Sequence, residues 1–131
     1  MSASFTDIRI IRLDTGATQQ SPTAPGLRHM YLSLSERPPR VWSQIFNAER
    51  QFARHSMWRR AWIQGNYIVV DCVPEELEKY HLNDLKQDVG SSNAKFREFL
   101  TKKARGAEAA GQAAQEERDH IESLSKRLKF D

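Results

Sequence analysis

The stretch RHSMWRRAWIQGNYIVVDCVPEE, residues 54–76, decides the fold because it holds a β-hairpin whose two strands can be aligned residue by residue. Gly65-Asn66 suits a two-residue turn, since glycine adopts a positive φ without steric cost. The turn sets Ile63 opposite Ile68, and directly opposed residues share one face of a sheet. The sequence therefore predicts an antiparallel sheet built on this hairpin.

The two faces of the predicted hairpin differ in chemistry, because successive side chains of a strand point to opposite sides. One face is apolar, and we expect it to form the core against a helix; it comprises Ala61, Ile63, Ile68, Val70 and Cys72. The other face is predicted to carry Trp58, Arg60, Trp62, Tyr67, Val69 and Asp71, with Arg60 and Asp71 as a cross-strand ion pair. Two tryptophans form a large patch, so this face is predicted to dock a helix of this chain or of a neighbour.

The segments before the hairpin predict two further strands and a helix. Residues 5–13 are rich in isoleucine, and residues 29–35 alternate between apolar and polar side chains, which is typical of strands. Residues 14–27 are polar with Gly and Pro and predict a mobile loop. Residues 39–54 place apolar side chains at steps of three and four after a proline pair, which predicts an amphipathic helix.

The segment after the hairpin is predicted to be helical in two runs. Pro74 and the glutamates that follow suit a helix N-terminus, and Gly90-Ser91-Ser92 is expected to interrupt this helix before a second run begins near Asn93. The predicted fold class is α+β, with a small antiparallel sheet of about four strands in ββαββα order, packed by an amphipathic helix. We predict a core domain over residues 1–92 and a C-terminal helical extension over residues 93–131.

The predicted extension has a coiled-coil-like pattern. A four-three spacing of largely apolar residues runs through it, and its apolar members are Phe96, Leu100, Ala107, Ala110, Ala114, Ile121, Leu124 and Leu128. As one helix, residues 93–129 would be about 55 Å long at roughly 1.5 Å per residue, beyond the span of a small domain. Such a helix needs another chain or a second helix, which predicts a homo-oligomer or a dedicated protein partner; a frayed or disordered tail is the competing interpretation.

Charge is distributed unevenly along the chain. Residues 1–70 hold nine arginines, no lysine and four acidic residues, whereas residues 71–131 hold eleven basic and thirteen acidic residues. Aromatic side chains beside arginines on a sheet can stack bases and meet phosphates, so single-stranded nucleic-acid binding is the alternative function. Genomic base composition accounts for the arginines equally well. The partner or nucleic-acid surface is predicted to comprise Arg50, Arg54, Trp58, Arg59, Arg60, Trp62 and Tyr67.

Neither an enzyme class nor a cofactor follows from the sequence. Cys72 is the only cysteine, and its place on the apolar face favours a buried structural thiol, which leaves a cysteine-dependent enzyme as a remote alternative. The four histidines lack metal-ligand spacing, and no phosphate-binding loop or serine elbow is present. We predict no catalytic, cofactor-binding or metal-binding residues, and a non-enzymatic interaction or regulatory module as the leading function.

The expected compartment follows from the same composition. A single cysteine allows no intramolecular disulfide, so a reducing compartment, the cytoplasm, is predicted. The N-terminal stretch lacks a basic segment followed by a long apolar one, and no apolar run is long enough to cross a bilayer. We therefore expect neither export nor membrane insertion.

Overall fold

The computed structural model describes residues 5–22 and 24–130, so the parts of the predicted domains at residues 1–4, 23 and 131 lie outside the described residues. The chain is α+β, as predicted, with an antiparallel sheet and a long C-terminal helix. Its elements in chain order are β1 (Ile10–Leu13), β2 (Gln19–Gln20), β3 (Arg28–Leu34), α1 (Arg40–Glu49), β4 (Ala61–Gln64), β5 (Tyr67–Cys72), α2 (Pro74–Glu76), a π-helical turn (Leu77–His81) and α3 (Leu82–Arg127).

The sheet is antiparallel, with strand order β1-β3-β5-β4 and with β2 paired to β3 beside β1. The hairpin of β4 and β5 has the predicted register, in which Ile63 faces Ile68 and Trp62 faces Val69. Gly65 has a φ of 61°, the left-handed conformation that the two-residue turn requires. The turn chemistry read from the sequence therefore fixed the alignment of the two strands correctly.

Within its described residues, 14–22 and 24–27, the segment predicted as a loop contains one short strand, β2. Its start is held by Asp14, whose Oδ1 accepts hydrogen bonds from the backbone N–H groups of Gly16 at 3.1 Å and Ala17 at 3.2 Å. β2 then pairs with the first residues of β3, with Gln19 opposite His29. The polar composition indicated a loop because two residues are too few to show a strand periodicity; the mobility of the segment stays a prediction.

The core forms where the helices meet one face of the sheet. Alternate residues of the central strands supply that face, and the helices supply Trp42, Phe46, Leu77, Leu85 and Val89, all of them buried. Ile68, Val70 and Cys72 are fully buried as predicted, and Ala61 and Ile63 on the edge strand β4 are half-buried. Val69, predicted on the outer face, is also fully buried, because on that face of the sheet it lies between its two cross-strand neighbours, Tyr31 of β3 and Trp62 of β4.

Asn93 ties three parts of the chain together. Its Oδ1 accepts hydrogen bonds from the backbone N–H of Ile8 at 3.1 Å and from Nε1 of Trp42 at 2.9 Å. Its Nδ2 donates to the carbonyl oxygen of Ile8 at 2.9 Å. Because a buried amide without partners is costly, this set of bonds fixes the N-terminal segment and α1 against α3.

The predicted interruption of the helix at Gly90-Ser91-Ser92 is wrong, because α3 is continuous from Leu82 to Arg127. The Ser92 side chain is buried and its Oγ donates to the carbonyl oxygen of Asp88 at 2.7 Å, so the hydroxyl is satisfied inside the helix. A glycine costs a helix only about 1 kcal/mol, which burial of neighbouring side chains outweighs. Two compact units are distinguished, Met1–Arg97 and Glu98–Asp131, while the domain boundary at residue 92 stays a prediction.

Candidate interaction surfaces

The C-terminal unit presents apolar side chains at helical spacing. Every described residue from 101 to 130 is exposed, including Ile121 at 56 %, Leu124 at 41 % and Leu128 at 49 %. Residues three and four apart lie on the same side of a helix. We call this face the C-terminal seam, and it comprises Leu100, Lys103, Ala107, Ala110, Ala114, Glu117, Ile121, Leu124 and Leu128.

Phe96, predicted as the first member of the same stripe, lies in the N-terminal unit and is buried there. Its ring makes an edge contact with Phe5 at a centroid distance of 4.7 Å. Leu100 is half-buried. The stripe therefore serves the core at Phe96 and becomes exposed to solvent further along α3, a change that the uniform spacing did not reveal.

Arg50 and Arg54, which follow the end of α1, both bind the carboxylate of Asp88. Asp88 Oδ2 lies 2.6 Å from Arg50 Nη1, and Asp88 Oδ1 lies 2.6 Å from Arg54 Nη2. The side chains of Asp88 and Arg50 are 1 % and 3 % exposed. Burial lowers the pKa of Arg50 and the bond to Asp88 opposes that effect. A buried carboxylate with a guanidinium on each oxygen is a structural ion network.

Trp58 belongs to this network instead of the outer face of the sheet. The guanidinium carbon of Arg50 lies 3.9 Å from the Trp58 ring centroid, and that of Arg54 lies 4.5 Å from it. His55 contacts the ring edge-on and its Nε2 lies 2.6 Å from Asp84 Oδ2. Strand alternation predicted Trp58 on the Trp62 face, but β4 begins only at Ala61, and residues 58–60 are irregular and follow a turn at residues 56–57.

A second polar group surrounds Glu76, close to Cys72. Glu76 Oε1 lies 3.2 Å from Arg59 Nε and 3.6 Å from Nε2 of His81, which is almost completely buried. Desolvation lowers the pKa of His81. Burial raises the pKa of Cys72 to about 12, so this thiol is protonated at neutral pH and lacks the charge of a nucleophile.

The outer face of the sheet carries the remaining predicted site residues. Trp62 is half-buried and makes a T-shaped contact with the His29 ring at a centroid distance of 5.2 Å. The guanidinium carbon of exposed Arg60 lies 5.2 Å from the centroid of the Trp62 ring. Tyr67 donates a hydrogen bond to Asp14 Oδ2 at 2.6 Å and thereby lowers the pKa of Asp14. The structure thus separates the seven predicted surface residues into three groups. Arg50, Arg54 and Trp58 lie around Asp88, Arg59 lies at Glu76, and Arg60, Trp62 and Tyr67 remain on the outer face.

The acidic partners of the arginines are the residues that sequence reasoning missed. Asp88 and Glu76 were not among the predicted site residues, and neither was Asp84. A signal was present, because Asp88 stands between the buried Leu85 and Val89 on α3, where a charge requires a buried partner. The other half of that signal was the segment of residues 50–60, which holds four arginines and no acidic residue.

Other kinds of site receive little support from the geometry. A groove of about 520 Å³ lies between β1 and the helix that starts at Pro74, lined mainly by aliphatic side chains. Within residues 5–22 and 24–130, no three His, Cys, Asp or Glu side chains gather closely enough to hold a metal ion. None of the described helices combines the length and apolarity needed to cross a bilayer.

No protein-family model, no curated protein and no solved structure matches this chain.

Proposed function

We propose that this protein is a non-enzymatic interaction module that associates with a second copy of itself, or with a dedicated partner, through the C-terminal seam. The observation that carries the proposal is the exposure of Ile121 and Leu124 on α3 and of Leu128 directly after its last residue, at spacings of three and four. The backbone N–H of Leu128 still donates to the carbonyl oxygen of Leu124, as in a helix. Burying such side chains in a helix pair removes apolar surface from water, at roughly 25 cal/mol per Å². A long helix that buries its apolar face against a partner helix is stabilised by that contact.

The ion network also supports an interaction module over the nucleic-acid alternative. Arg50 and Arg54 bind Asp88, and Arg59 binds Glu76, so these three guanidinium groups already have anionic partners. A phosphate would have to displace a carboxylate, and in the case of Arg50 it would have to do so in a buried position. The alternative therefore depends mainly on Arg60 and Trp62 of the outer face.

Sedimentation equilibrium on the full chain over a wide concentration range tests self-association. The double variant Ile121→Asp, Leu124→Asp is expected to be monomeric where the parent is an oligomer, because two charges would enter the seam. Gln112→Asp, Ser123→Asp is the matched control, since it adds the same charges to exposed positions outside the seam. A parent chain that stays monomeric throughout removes self-association and leaves only the dedicated-partner form.

A further inference from the structure

The C-terminal seam has a narrow middle. Its central members are Ala107, Ala110 and Ala114, and small residues also flank them at the adjoining positions, namely Ala104, Gly106, Gly111 and Ala113. A Cβ atom added to either of these glycines would meet nothing within 4 Å. Interaxial distances between helices depend on the side chains at the contact, so two such segments approach closely. The same segment of a second copy is equally narrow, so a second copy of this chain can pack closely against the middle of the C-terminal seam.

Charge along the seam distinguishes the two directions in which copies can pair. Lys103 and Glu117 are the two charged members of the seam and are separated by two heptads. In a parallel, in-register pair, each would meet its own copy inside the interface, so like charges would face each other at both layers. In an antiparallel pair, Lys103 of one chain lies near Glu117 of the other, and the same contact recurs by symmetry.

The charged residues around Lys103 and Glu117 also favour the antiparallel direction. Lys102, Lys103 and Arg105 form a basic segment. Four acids in residues 116–122 form an acidic segment, in which Arg118 is the only arginine or lysine. An antiparallel pair that sets Ala110 opposite Ala114 also sets Leu100 opposite Leu124 and brings each basic segment to the acidic segment of the other copy. Charge complementarity and the small residues in the middle therefore select one arrangement.

Building on the proposed function, we infer that the C-terminal seam pairs two copies of this chain as an antiparallel helical dimer, with Ala110 opposite Ala114. In this register Lys103 lies opposite Ile121 of the second copy, one helical turn from the Glu117 of that copy. The dimer has two-fold symmetry, so each seam supplies both halves of every contact. The partner of this surface is the same surface on another molecule, and its specificity comes from the opposed charges at two positions inside a mostly apolar and small-residue interface.

Cross-linking of two full-length variants tests the direction of pairing. Leu100→Cys and Leu124→Cys are prepared separately, mixed and oxidised mildly, while buried Cys72 is common to both. The antiparallel pair predicts a disulfide that joins one variant to the other, with little cross-linking of either variant alone. A parallel pair predicts the reverse, since each new thiol would meet its own copy, and that result overturns the inference while self-association stands.

Charge reversal provides an independent readout by sedimentation. Lys103→Glu and Glu117→Lys are each expected to raise the dimer dissociation constant about tenfold or more, and the double variant to return within about threefold of the parent. In a parallel pair each reversal exchanges one like-charge contact for another, so no rescue pattern arises. If the parent is a dimer but no disulfide forms between the seam positions, the interface lies elsewhere and the inference is overturned. If the parent is a monomer, the proposed self-association, on which the inference rests, is removed as well.

Discussion

Asp88 shows how a single side chain organises the contact between two helices. It accepts a hydrogen bond from Arg50 on one carboxylate oxygen and from Arg54 on the other, and its side chain is almost completely buried. Removing one partner of a buried ion pair leaves a charge without compensation. We expect Asp88→Ala to lower the free energy of unfolding by about 3–5 kcal/mol, as measured by urea denaturation.

Asp84 provides the matched control one helical turn away. Its pair with His55 is partly open to solvent, so Asp84→Ala is expected to cost less than about 1 kcal/mol in the same denaturation experiment. Equal losses for the two variants would contradict the structural role assigned to Asp88, because burial is the main difference between the two carboxylates.

Two tryptophans are expected to respond differently to truncation. Trp42 is fully buried and donates a hydrogen bond to Asn93, so Trp42→Ala should cost about 3–5 kcal/mol of unfolding free energy. Trp62 is half-buried on the outer face of an edge strand, and Trp62→Ala should cost about 1–2 kcal/mol. Denaturation of both single variants measures the difference, and a Trp62 variant as damaged as the Trp42 variant would mean that another element covers Trp62.

His81 makes stability depend on pH. Burial holds its pKa below the unfolded value of 6.5, although Glu76 partly opposes this, so the unfolded chain binds more protons than the folded chain between those two pKa values. Stability is therefore expected to fall as the pH drops from 6.5 toward the folded pKa. Urea midpoints at pH 7.5 and 5.5 measure the effect, and His81→Phe should reduce the difference between them; an unchanged difference would assign it to other groups.

Among the elements, the long helix depends on packing more than on local propensity. The continuity of α3 through Gly90 is explained by the buried residues on either side of it, Asp88, Val89 and Ser92. The strands β4 and β5, in contrast, follow from local chemistry, because the turn and the alternation agree. The element that sequence patterns describe least well is β2, which has only two residues.

Gly90 offers a direct test of the continuous helix. A Cβ atom at this position would meet nothing within 4 Å, so Gly90→Ala should raise the unfolding free energy by about 0.5–1 kcal/mol through helix propensity and a smaller unfolded-state entropy. Thermal and urea denaturation measure the change. Gly65→Ala is the opposite case, since its positive φ should make the variant less stable. A destabilised Gly90 variant would indicate that the helix breaks there after all.

At the scale of the whole molecule, folding brings together charges that the sequence separates. The arginine-rich first half meets acids of the second half in the bonds of Arg50 and Arg54 to Asp88 and of Arg59 to Glu76. A cluster that looks strongly basic along the chain is therefore partly neutralised within the N-terminal unit, where two carboxylates bind three of its four arginines. This pairing accounts for much of the charge asymmetry without an external anion.

A labelled single-stranded DNA provides the corresponding prediction. The full chain is expected to cause little anisotropy change even at low salt, because the paired arginines are not free to release counterions from phosphates. Arg60→Ala serves as a variant of the exposed group, and any residual binding should decrease with it. Tight binding that weakens steeply with salt would show that phosphate displaces the carboxylates and would favour the nucleic-acid alternative.

The sequence by itself determined the fold class, the hairpin register, the buried positions of Ile68, Val70 and Cys72, and the apolar spacing of the C-terminal seam. These follow from turn chemistry and periodicity, which act between near neighbours in the chain. Only the tertiary structure decided that α3 passes unbroken through Gly90, that Val69 is buried, that Trp58 and Trp62 have separate environments, and that Asp88 binds two arginines. Each of these depends on contacts between residues far apart in sequence, whose energy no local pattern records.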